Sequence, residues 1–290
     1  MADASSILPA RRASAVLVPR ARKDAIVLRV LTLAFTVFII AYIAIPVLVT
    51  LAMSFNDASA IRFPIKVWSL KWYGDFFGSP QWVDALESSI IIALGTTAIS
   101  TISGVLAAWA FERFTFAFKP LVYLLIMLPL FIPGVVLGLG VAMAFGNVSL
   151  LGFNVYGSRA LVMLAHSLWA MPLVFMLMEA TFRTVDHRIV EASYDLGGKP
   201  LRTFFEIVLP SVSTGIISSA LFAFVVSLNE FVMALFLTTR DTQTLPVLMW
   251  LSLRSAGTPR LAVASVILAA AVFVSLSLIM VWYIRQLRKT

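Results

Sequence analysis

Few residues in this chain have types and spacings that could do chemistry. Gly197-Gly198-Lys199 raises the question of a phosphate cradle, His166 and His187 that of a metal, and Glu230 that of a carboxylate set in an apolar run. A phosphate loop of the G-x-x-x-x-G-K-[ST] type needs backbone amides around the phosphates and a hydroxyl for magnesium. Here Pro200 follows Lys199, and Ser193 stands at the first glycine position. Both requirements fail. The two histidines have no cysteine or paired carboxylate at ligand spacing. His166 reads as a packed polar residue, and Asp186-His187-Arg188 as a solvated loop. No metal site, no catalytic cluster, no ATPase site and no cofactor bound by this chain are expected.

Glu230 remains. It follows Asn229 in "SLNEFVMALFL". Gly215, Ser219 and Ala223 recur every four residues, and Glu230 lies seven further on. At helical spacing these form one stripe of small residues ending in a carboxylate. Such a stripe faces other helices or a pore rather than lipid. An ionised carboxylate inside a membrane is costly unless it meets water, a partner or a ligand. Two readings stay open. Glu230, with Asn229 and Ser219, lines a solute path and attracts a cation, or it makes a structural hydrogen bond or ion pair across an interface.

The elements that must position these residues are membrane helices. The chain of 290 residues is 61% apolar and 12% charged, with mean hydropathy +0.98, against about 25% charged in a soluble domain. Cysteine is absent, so thiolate chemistry is excluded. A crossing helix needs about 20 apolar residues. Six runs qualify: Val30–Phe55, Ser89–Phe111, Leu121–Phe145, Ala160–Ala180, Ile207–Leu237 and Leu261–Ile284. The first exceeds a signal-peptide core and reads as an uncleaved anchor. Placing the N-terminus inside leaves seven of the 22 Lys and Arg outside (Arg62, Lys66, Lys71, Arg159, Arg240, Arg254, Arg260) and the other 15 inside. Both termini are therefore expected in the cytoplasm. The net charge of +8 is spread along the flanks of apolar runs, which argues against nucleic acid.

Residues 1–28 form a basic tail, expected to be disordered and drawn to anionic lipid. Residues 29–290 form the membrane domain. Pro46, Pro129, Pro133 and Pro172 can each kink a span, and Gly134 with Gly138 lets helices approach closely. The first outer loop carries Trp68, Trp72, Tyr73, Phe76, Phe77 and Trp82. It reads as a segment lying on the membrane surface or as a platform for an external partner.

The polar interruption between spans four and five, about 181–206, has its own order. Glu191, Ala192 and Ser193 open a short helix, Gly197 ends it, Gly198-Lys199-Pro200 bends the chain, and Ile207, Leu209 and Pro210 enter the next span. Glycine suits a helix stop because it tolerates left-handed backbone, and proline suits a first turn. The pattern E-A-S-x3-G-x9-I-x-L-P resembles the EAA motif of permease subunits of bacterial ABC importers, with Ser193 for the usual alanine. The resemblance covers nearly all of the chain after residue 28. It implies an all-α membrane protein with six transmembrane helices, the type I importer permease fold, and a cytoplasmic coupling helix over Glu191–Gly198.

It also implies partners. These are an ABC ATPase dimer holding ATP and magnesium, a second permease subunit and an extracytoplasmic solute-binding protein, with this chain itself in the inner membrane. "SFNDASAIRFPIKVWSLKWYGDFF" and "TQTLPVLMW" resemble the spermidine/putrescine branch, which favours a polyamine. An opine, a phosphonate, an amino-acid-like solute or iron are the alternatives within the class. A secondary transporter would carry more intramembrane charge or an inverted repeat and leaves the loop pattern unexplained. A membrane enzyme needs a catalytic cluster that the sequence lacks.

Overall fold

The computed structural model describes residues 18–60, 64–150 and 152–287. Its contacts divide the chain into two units, Met1–Ala52 and Met53–Thr290. Helix α1 is Val18–Met53, and its stretch Ala25–Met53 has a mean hydropathy of 2.5. Residues 18–28, placed in the tail by sequence, are helical, because Arg, Lys, Ala and Leu are good helix formers that extend an existing helix. Residues 1–17 lie outside the described residues.

The second unit opens with α2 (Lys71–Phe77), which buries Trp72 and Phe76. Helix α3 (Pro80–Arg113) starts on proline and runs 34 residues unbroken. Then come α4 (Lys119–Phe131), α5 (Gly134–Phe145) and a minimal antiparallel hairpin, β1 (Ser149–Leu150) with β2 (Phe153–Asn154). Helix α6 (Arg159–Phe182) follows, with the short α7 (His187–Asp195) and α8 (Pro200–Thr203). A π-helical turn, Phe204–Val208, leads into α9 (Leu209–Ser211) and α10 (Ser213–Asn229). Helices α11 (Val232–Leu237), α12 (Leu245–Ala256) and α13 (Arg260–Leu287) complete the chain.

Among the described residues, four helices are long and apolar enough to cross a membrane: α1, α3, α6 and α13. Two bent pairs make the count six if each is one span: α4 with α5, at 102°, and Pro200–Ser211 with α10, at 74°. The third run was expected to hold a possible kink at Pro129 or Pro133, the fifth carried no such expectation, and the structure breaks both. The first break has a covalent cause. Pro133 cannot donate to the Pro129 carbonyl and restricts Ile132 to extended backbone, φ −90° and ψ 128°. The Pro129 carbonyl keeps only the long bond from the Ile132 amide at 3.3 Å, and Trp169 of α6 adds a shorter one, donating its indole N–H at 2.9 Å. Pro172 lies inside α6 without ending it, so a single proline does not decide the outcome. Near Pro210 the helix widens into the π-turn, consistent with a proline ring crowding the carbonyl four residues back, and it breaks at Val212.

The frame is α3 against α6, with α10 laid across both. Small residues make this possible. A Cβ on Gly104 would lie 2.7 Å from a methyl of Val174, one on Gly95 2.4 Å from the sulfur of Met163, and one on Gly215 2.5 Å from Thr181. Thr96 adds a hydrogen bond to the Met163 carbonyl at 3.3 Å. Gly134 and Gly138 do provide close approach, toward Trp169 of α6 and the Met233 backbone of α11.

Candidate functional site

The segment from Asp186 to Pro210 is a capped helix, a stop and a re-entry. Asp186 is the N-cap of α7, its carboxylate accepting the Arg188 amide at 3.0 Å. The expected solvated loop at Asp186-His187-Arg188 is thus the start of a helix, which opens four residues before Glu191 because an Asp cap satisfies amides at the helix terminus. The stop falls where the sequence places it. Gly197 has φ +83°; its amide donates to the Tyr194 carbonyl at 2.9 Å, and that of Gly198 to Ser193 at 2.8 Å. This pair of bonds closes a helix with a left-handed residue.

Gly198 is required by space. A Cβ there would sit 2.5 Å from the Ser193 hydroxyl and 2.7 Å from its carbonyl. The Ser193 and Thr203 hydroxyls hydrogen-bond at 2.9 Å, tying α7 to α8. Thr203, 2% exposed, is a member the sequence reading missed. Glu191, Ala192 and Gly197 are exposed, Ile207 and Leu209 are half-buried, and Pro210 is exposed. One face of α7 is apolar and uncovered: Ile189 at 54% exposure, Ala192, and Leu196 at 89%. These recur at i, i+3 and i+7, one stripe of a helix.

The stripe ending at Glu230 lies inside the bundle. Ser219 and Ala223 are fully buried, and Glu230 is 6% exposed. Helix α10 ends at Asn229, and Glu230 takes extended backbone, φ −70° and ψ 123°. Its carboxylate turns onto the amides that open α11. One oxygen accepts from Val232 at 2.9 Å and Met233 at 3.0 Å, the other from Met233 at 3.0 Å and Ala234 at 3.1 Å. The Nε2 of His166 lies 3.2 Å from the second oxygen, off the line of a good hydrogen bond. His166 Nδ1 meets the Ser227 hydroxyl at 2.8 Å. Asn229 is exposed, its amide turned back to the Val225 carbonyl at 2.8 Å. Of the three path residues, Ser219 and Glu230 therefore share the buried stripe and Asn229 does not.

Residues 100–289 match the family of binding-protein-dependent transport system inner membrane components. The chain belongs to this family. It is a multi-pass inner-membrane component of a transport system that depends on a binding protein. It is 31% identical to the putrescine transport system permease protein PotI of Escherichia coli (strain K12), over 88% of this chain and 89% of that one. Identity to the spermidine/putrescine transport system permease protein PotC of Haemophilus influenzae is 28%, over 85% and 95%. A bacterial ABC transporter involved in the import of the acidic polysaccharide alginate superposes with a TM-score of 0.74 at 15% identity, covering 92% of this chain and 98% of that one. The fold is therefore that of an ABC importer permease.

In this transport component the pairing of His166 with Glu230 escaped sequence reasoning, as did the bond from Trp169 to Pro129. A signal existed for the first: His166 and Glu230 are ionisable residues deep in apolar runs four and five, and each needs a partner. Both His166 and Trp169 lie on one face of α6, three residues apart, and each serves a different helix break.

Proposed function

We propose that the chain is the permease subunit of an ATP-driven importer for small polyamines such as putrescine, delivered by an extracytoplasmic binding protein. The identity to a putrescine permease over most of both chains supports the substrate. The observation that carries the coupling role is the uncovered face of α7, Ile189-Ala192-Leu196, on a helix capped at both ends. A rigid apolar ridge of this size suits a groove on a partner protein. Lys and Arg bias puts α7 and both termini in the cytoplasm, where an ABC ATPase dimer would hold ATP and magnesium. Glu191, Ala192, Ser193, Gly197 and Gly198 then form the coupling helix and its stop, and Ile207, Leu209 and Pro210 join it to α10.

A second permease subunit completes the pore. ATP binding in the partner displaces α7 and shifts the population of the spans toward outward access. This chain hydrolyses nothing itself. Asn229, exposed beside the α10–α11 break, contacts solute, while Ser219 and Glu230 hold the wall behind it. The test is uptake of labelled putrescine into proteoliposomes holding this chain, the second permease and the ATPase, with binding protein outside. Uptake should require ATP and the binding protein. Uptake that persists without the ATPase would overturn the reading.

A further inference from the structure

At the end of the bundle that carries α7, the unbroken helix α3 takes hold of the proposed coupling helix. The Trp109 ring lies 5.4 Å from that of Phe182, the last residue of α6, and 5.4 Å from that of Phe204, the first residue of the π-turn. One turn further, the Arg113 guanidinium stands 5.4 Å from the centre of the Tyr194 ring, on α7 itself. Val190 of α7, 5% exposed, packs in the same apolar cluster as Phe182 and Phe204. Trp109 and Arg113 thus touch the helix before the coupling segment, the segment itself and the turn after it.

The far end of α3 is equally committed. The Trp82 ring lies tilted against that of Phe76 of α2, 5.6 Å between centres, and 5.7 Å from the Arg260 guanidinium of α13. Arg260 also pairs with Asp75 of α2. The Ser89 hydroxyl accepts the Leu245 amide, which opens α12, at 2.7 Å. Along α3 no proline or break intervenes between these two ends. The covalent route from α7 instead passes through a π-turn, the bend at Val212 and the break at Glu230.

We infer that α7 and α3 move as one rigid body, and that Trp109 and Arg113 are the positioning residues that carry coupling-helix displacement along α3 to α2 and α12 at the opposite face. This rests on the coupling role proposed for α7. Each contact is modest, because one aromatic pair adds little beyond the area it buries. Two such pairs and a guanidinium on a ring suffice to bias which helix follows α7. A broken helix between the two faces would absorb the same displacement at its bend.

The chain has no cysteine, so an engineered thiol pair in it can be linked cleanly. In Arg113→Cys/Tyr194→Cys the ring contact is gone. Transport per ATP hydrolysed by the reconstituted importer should fall about two- to fivefold. Joining the two thiols with a short bis-maleimide before assembly with the ATPase should restore it to at least half. Trp109→Ala should lose about tenfold in the same ratio with hydrolysis retained, and Trp109→Phe should recover most of it. The inference is overturned if the double variant transports normally unlinked. It is equally overturned if linking lowers transport further or leaves it unchanged. Failure of ATPase docking in Leu196→Asp, measured in parallel, reports on the coupling reading. Docking that survives Leu196→Asp would sink that reading, whatever the linked pair does.

Discussion

Helices α3 and α6 cross the bundle whole, whereas the segments α4–α5 and α8–α11 cross it in pieces. The whole helices meet through small residues, with Gly95, Gly104 and Thr96 letting the backbones close. The broken ones depend on single polar groups that replace lost backbone bonds. The Trp169 indole serves the Pro129 carbonyl, which has lost its helical donor, and the Glu230 carboxylate serves the orphaned amides of α11. In a membrane, water cannot satisfy such groups. A break therefore survives where a neighbouring rigid helix lends a polar group, and α6 does so twice, through Trp169 and His166. The lesson is a division of labour, with continuous helices as frame and stitched helices as parts able to bend.

Substitutions that unpick the stitches should cost more than those that loosen the frame. The largest effect is expected for Glu230→Ala, which strips the α11 amides of their acceptor and removes the group facing His166. Buried amides left without an acceptor cost about 1–3 kcal/mol each, seen as a lower thermal midpoint in detergent. Glu230→Gln keeps an acceptor for the amides and should fall well short of that. If it leaves stability and assembly normal but abolishes putrescine uptake, the carboxylate serves solute rather than the break. Trp169→Phe keeps the ring and removes the donor, leaving the Pro129 carbonyl with only the long Ile132 bond, at about 1–1.5 kcal/mol. A midpoint unchanged from the parent would show that the 102° bend stands without the indole.

In the frame, Gly104→Ala drives a methyl toward Val174 and the Phe175 amide, 2.7 Å and 3.1 Å away, and overpacking of this kind costs about 1–3 kcal/mol. Thr96→Val removes one interhelical hydrogen bond, about 0.5–1.5 kcal/mol, and is the mildest. Should Thr96→Val outweigh Trp169→Phe in the same thermal assay, the contrast between frame and stitches is wrong.

The sequence exposes what is local. Apolar runs mark the spans, the Gly197 stop follows from the need for left-handed backbone, and the period of four from Gly215 to Ala223 marks a buried stripe. The break between α4 and α5 was legible as a possibility, since Pro129 and Pro133 could kink a span, but Pro172 does not end its helix and the breaks at Val212 and Glu230 went unmarked. Which one breaks depends on a partner 40 residues away, Trp169 for Pro129. The environment of Glu230 likewise depends on His166, from a different helix. Local spacing carries no record of such pairings. The early start of α7 is different. Asp186 is a good cap in plain view, but in a run with His187 and Arg188 its polarity reads equally well as loop.

The most direct test of the account is the Gly197→Val variant of the reconstituted importer, with uptake and ATPase docking measured together. Nothing in the fold crowds a side chain at Gly197, so the substitution acts through the backbone, where left-handed geometry is strained for a branched residue by about 1–3 kcal/mol. The account predicts normal membrane insertion with the stop of α7 lost, weakened docking and putrescine uptake reduced at least about tenfold. Normal docking and normal uptake together would contradict it.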